Sequence, residues 1–112
     1  MPVMIFYKDK KVTDQAASDV MQVLANVTAA ELQAKMEVRV VEPVMSLNAN
    51  EVHIEMRFRD FDEWSPEVLQ KYHEKVMAEI GKALTSHDFH GQYSFYIVPS
   101  TPPKSIWSQG KV

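Results

Sequence analysis

One strand–helix–strand pattern is used twice in this chain, and that repeat restricts the fold more than any other feature. Thr13 and Ser65 stand 52 residues apart, and so do Leu24 and Val76. In the first copy, Val3-Met4-Ile5-Phe6-Tyr7 predicts a strand over 2–8. Thr13 then occupies an N-cap position with Asp14 in the first turn, and Ala17, Val20, Met21, Leu24 and Val27 recur at helical spacing. The capping-box spacing of Thr28-Ala29-Ala30-Glu31 predicts a short extra turn starting there. A second strand is expected over 36–42, ending at Pro43.

In the second copy, Val52, Ile54, Met56 and Phe58 alternate with His53, Glu55, Arg57 and Arg59, the clean period of two that marks a strand, here over 51–59. Asn48 and Asn50 lie in the connection before it. Ser65-Pro66-Glu67 combines an N-cap, a proline at the first helical position and an acid, and Leu69, Tyr72, Val76, Ile80 and Leu84 continue as a helical stripe. Gly91 and Pro99 bound a last strand over 92–98, and a tail over 99–112 carries the apolar pair Ile106-Trp107.

Two βαβ units imply an α+β domain spanning 1–112, with a pseudo-repeat over 2–43 and 51–98 and the tail behind it. Strands within each unit should be parallel, with right-handed crossovers. Both helices then cover one face of a four-stranded mixed sheet. The other face, alternating charged and bulky residues, is left for a second subunit.

Composition closes off several classes of function. A length of 112 residues suits one domain, and 46% hydrophobic residues suffice for a core. No apolar run is long enough to span a membrane, and no basic hydrophobic leader precedes the first strand. With no cysteine, disulfides and thiolate chemistry are excluded and a reducing, cytoplasmic setting fits. A net charge of -3 without a basic stripe argues against nucleic acid. His87-Asp88-Phe89-His90 supplies two imidazoles and a carboxylate, but no third and fourth ligand is specified, so a solvated turn is expected and no metal. Asp60, Asp62 and Glu63 flank the turn before the second helix, and His73 reads as a surface residue of that helix. No Gly-rich phosphate loop is present, and no cofactor is expected.

Chemistry enters at the start. Removal of Met1 would leave Pro2 with a secondary amine at the end of a rigid strand, and a free α-amino group titrates near pH 7.7–8.0. Such an amine serves as a general base or nucleophile. Pro2 also has a plain structural reading, since the first position of a strand needs no ladder donor. Arg39, likewise, is either a carboxylate clamp or a partner for Glu37, Glu55 or Glu42.

Met1-Pro2 leading the first strand, two βαβ units in this length, Val38-Arg39-Val40-Val41 in the second strand and Ser105-Ile106-Trp107 near the end together resemble the tautomerase superfamily. This is the fold of 4-oxalocrotonate tautomerase and macrophage migration inhibitory factor, and the likeness points to a bacterial branch of it. The resemblance implies a homotrimer whose three sheets enclose a central channel, with sites between neighbouring subunits. It implies that Pro2 moves a proton between carbon and oxygen of a small enolic or unsaturated carboxylic acid, and that Arg39 binds the carboxylate. A second arginine before the first helix is replaced here by Val12 or, one residue away, Lys11. The asparagine of the cytokine-like members reads as Phe95, and Tyr93 and Trp107 would supply an aromatic wall. Two rival readings stand beside it: a ferredoxin-like ligand-binding domain, which shares the order β-α-β-β-α-β, and a tautomerase fold without catalysis.

Overall fold

Each helix begins where a hydroxyl can take up an unpaired backbone N–H. The Thr13 side chain accepts from the Ala16 amide at 3.1 Å, and the Ser65 side chain accepts from the Val68 amide at 3.2 Å. The computed structural model describes residues 3–42, 52–58 and 64–99. Met1, Pro2, Asn48, Asn50, Arg59, Asp60, Asp62, Glu63, Ile106 and Trp107 lie outside the described residues. The elements are β1 (Val3–Lys8), α1 (Asp14–Leu32), β2 (Glu37–Val41), β3 (Val52–Phe58), α2 (Pro66–Ser86) and β4 (Tyr93–Pro99).

One expectation about the elements fails. α1 runs without a break through Thr28 to Leu32 and ends at Gln33, whose φ of 53° is left-handed. Thr28 caps nothing, because its side chain points inward and is fully buried. Its hydroxyl donates to the Leu24 carbonyl at 2.6 Å and accepts from the Tyr72 hydroxyl at 2.8 Å, with Met36 Sδ at 3.3 Å. Burial pushes the Tyr72 hydroxyl up to about 12, against the bond to Thr28.

The strands lie in the order β2-β1-β3-β4. β1 pairs parallel with β2, β3 pairs parallel with β4, and β1 and β3 meet antiparallel at the centre. The strands of each βαβ unit therefore stay together, whereas a ferredoxin-like sheet interleaves them, and this removes the ferredoxin-like reading. β4 includes Pro99, which an edge strand tolerates because a missing N–H leaves no ladder bond unmade.

Alternation divides the strands between two faces. Met4, Phe6, Val52, Ile54, Met56 and Phe95 are buried beneath the helices, against Val20, Leu24, Tyr72, Val76, Ile80 and Leu84. Lys8 continues the inward row of β1 and is 8% exposed. Its Nζ donates to the Val12 carbonyl at 3.0 Å and lies 3.7 Å from both Asp14 and Glu42, which closes the turn into α1. No helix among the described residues is long and apolar enough to cross a membrane.

Candidate functional site

Arg39 sits on the uncovered face of β2, opposite Ile5. Its Nε donates to Glu37 Oε1 at 3.1 Å, the side chain is 66% exposed, and its Nη atoms have no partner among the described residues. Val3, the residue after Pro2, lies between Glu37 of β2 and Arg57 of β3. The start of β1 is thus bracketed by an acid and an arginine, with Arg39 one step further along the same face.

Lys11 occupies the β1–α1 turn, where its amide donates to Asp9 Oδ1 at 3.0 Å. It borders a cavity of about 310 Å³ together with His87, Asp88 and His90. Val12, the other residue that could stand at the cation's position, is 2% exposed and belongs to the core. In the His87–His90 turn, His87 Nε2 pairs with Asp19 of α1 and His90 Nε2 with Asp88.

Tyr93 and Phe95 face the helices from β4. The Tyr93 hydroxyl donates to the Met77 carbonyl at 3.1 Å, close over Gly81. Phe95 is 3% exposed and packs edge-on against Tyr72. His73 is half-buried rather than a surface residue: its ring stacks on Phe95 at 5.3 Å, and Nε2 donates to the Phe95 carbonyl at 2.9 Å. All three border an open groove of about 610 Å³ between α2 and β4. Arg39 therefore lies on one edge strand and Tyr93 and Phe95 on the other, so a single chain does not bring these residues together.

The uncovered face also holds a polar series, of which sequence reasoning missed Ser94. Ser94 is the register partner of His53, and its Oγ lies 2.6 Å from His53 Nδ1. His53 Nε2 lies 3.1 Å from Glu55 Oε1, and Arg57 Nη2 donates to Glu55 Oε2 at 2.8 Å. Burial raises the Glu55 carboxyl, but the hydrogen bonds and charges of Arg57 and His53 outweigh it and hold the group below the usual carboxylate range. Tyr7 and Tyr96 flank the imidazole at ring distances of 5.8 and 5.3 Å. The alternation of β3 already places His53, Glu55 and Arg57 on one face, but only the β3–β4 register brings Ser94 to them.

No protein-family model matches the chain, and no curated protein matches it in sequence. Solved structures do match in shape. A 5-carboxymethyl-2-hydroxymuconate isomerase from Deinococcus radiodurans aligns with a TM-score of 0.67 at 12% identity, over 98% of this chain and 90% of that one. A fused 4-OT, an asymmetric trimer, aligns at 0.61 and 12% identity, over 88% of this chain and 86% of that one. A macrophage migration inhibitory factor-like protein from Entamoeba histolytica aligns at 0.60 and 10% identity, over 96% and 95% of the two chains. The chain has the tautomerase/MIF-like fold, the α+β architecture the sequence pattern implies.

Proposed function

We propose that this chain is a tautomerase-superfamily enzyme acting on a small enolisable or unsaturated carboxylic acid. With Met1 removed, the Pro2 amine takes a proton from carbon and delivers it to the conjugated oxygen or carbon, and Arg39 anchors the carboxylate. The observation that carries this reading is the placement of Arg39. It lies on the uncovered face near the start of β1, with its Nη pair unengaged among the described residues. A planar guanidinium meets a carboxylate with two parallel hydrogen bonds and stabilises the enolate charge as it develops. Moving a proton within one substrate calls for no cofactor.

The assembly we propose is a homotrimer in which three uncovered faces enclose a channel. One structural neighbour is described as a trimer, and groups that one chain holds on opposite edges could meet across a subunit boundary. Lys11 is a second cation for the site, with charge but no planar fork. Trp107 stays in the proposal as an aromatic wall. The cysteine-free chain suits the cytoplasm. A second reading, a tautomerase fold without catalysis, is favoured by Val12, a core residue at one of the two positions where a second cation would stand.

Intact mass of untagged protein, before and after a small electrophilic carboxylic acid at neutral pH, decides between them. No cysteine competes, and lysine at about pKa 10.4 stays protonated. Loss of Met1, a single adduct on Pro2, and labelling slowed about tenfold or more by Arg39→Ala are expected. Retained Met1, or an unreactive Pro2, would establish the non-catalytic reading.

A further inference from the structure

At the Tyr7 end of β1, the uncovered sheet face sets a hydroxyl, an imidazole and a carboxylate in series. We propose that Ser94 is a nucleophile toward small activated carboxylic esters, with His53 as its general base and Glu55 as the positioning residue that holds the imidazole. This goes beyond the proline chemistry and uses none of it.

The hydrogen bonds fix the direction of the series. An ionised Glu55 only accepts, so His53 Nε2, 3.1 Å from it, carries the proton. In the neutral ring Nδ1 is then a lone pair, and the Ser94 hydroxyl 2.6 Å away donates to it. That is the arrangement in which attack by Oγ is coupled to departure of its proton. Three other hydroxyls among the described residues are spent differently. Thr28, Thr85 and Ser86 donate to backbone carbonyls three or four residues back, where no base receives the proton. Arg57 holds the far oxygen of Glu55, so the carboxylate has one position to offer the ring.

The surroundings suit an ester. Tyr7 and Tyr96 wall the imidazole, leaving the His53 side chain 12% exposed, and no helix among the described residues covers this face. Tyr96 is 59% exposed and lies two residues along β4 on the same face as Ser94. Its hydroxyl has no hydrogen-bond partner among the described residues, and in this proposal it donates to the oxyanion of the tetrahedral intermediate. In the reaction, Ser94 Oγ bonds to the ester carbonyl carbon while its proton passes to His53 Nδ1. The bond from carbon to the alcohol oxygen then breaks, and His53 returns the proton to that oxygen. Water repeats the sequence on the acyl-serine and releases the acid.

Labelling of the full chain with an alkyl fluorophosphonate tests the assignment, because phosphonylation marks an activated serine and the chain has no cysteine to compete. One phosphonyl group on Ser94 is expected, lost in Ser94→Ala and unchanged in Pro2→Ala. His53→Gln should label about 100-fold more slowly. Glu55→Gln keeps an acceptor for Nε2–H and should retain most of the rate, whereas Glu55→Leu loses about tenfold. Equal rates in the two Glu55 variants would remove Glu55 from the assignment. No label at millimolar reagent, or a Ser94 that labels equally fast in His53→Gln, overturns the proposal. Since Pro2→Ala leaves the labelling in place, failure of the proline chemistry and failure of the serine chemistry read out separately.

Discussion

The two faces of the sheet share four strands and obey different rules. Beneath the helices, Met4, Phe6, Ile54, Met56 and Phe95 form an apolar layer, and the few polar groups there are closed off, Lys8 on the Val12 carbonyl and Thr28 on Leu24 and Tyr72. No buried side-chain nitrogen or oxygen among the described residues lacks a partner. On the other face Ile5, Tyr7, Val41 and Tyr96 are interspersed with Glu37, Arg39, His53, Glu55 and Arg57, and both arginines bind the acid two residues back along their own strand. The sheet is held together from one side. Its other side adds little to that, since ion pairs between neighbours on a strand stabilise little.

The sharpest way to break this contrast is to delete matched bulk from each face. Leu24→Ala, at a fully buried position, should cost about 2–5 kcal/mol in urea unfolding. Ile5→Ala, half-buried on the open face, should cost the isolated chain about 1 kcal/mol or less and show instead as weaker association. Similar losses in the two unfolding curves would mean that both faces hold the fold. A smaller effect probes how tightly the covered side is packed. A Cβ on Gly81 would meet the Tyr93 hydroxyl at 2.6 Å, so Gly81→Ala must displace that ring and its bond to Met77. A loss of about 1–2 kcal/mol in Tm-based stability is expected, and an unchanged Tm would show a looser groove.

The smallest effect belongs to the open face and depends on pH. The Glu55 carboxyl is depressed in the folded chain, so its contribution is present above the ordinary carboxylate range and is lost as pH falls through the folded value. Glu55→Gln should therefore be less stable than the parent by about 0.5–1 kcal/mol at pH 7, with the gap closing below about pH 4. A gap that persists in acid would mean that the side chain acts by packing rather than by charge.

Much of the fold is legible in the sequence because period and capping are local. The strand expected over 36–42 is found at Glu37–Val41, and the one expected over 92–98 at Tyr93–Pro99. The extra turn at Thr28 was a false signal, since the same letters serve a cap and a threonine turned into the core, and only packing against Tyr72 separates them. Element order allowed two sheets, and strand pairing between residues some fifty apart chose one. At the site, the open-face position of Arg39 follows from alternation. The meeting of Ser94 with His53, and of His73 with Phe95, depends on register and on how α2 lies over β4, which no local pattern encodes.

The bond from His73 to the Phe95 carbonyl bears on how copies of this sheet can join. β4 and β2 are its two rims, and each presents backbone groups to which a foreign strand could add. On the β4 rim an imidazole from α2 already sits on a strand carbonyl, and Pro99 withholds a donor. The β2 rim has no such guard among the described residues. Unlimited edge-to-edge growth needs both rims receptive, so a sheet defended on one side can accept a neighbour without seeding a filament.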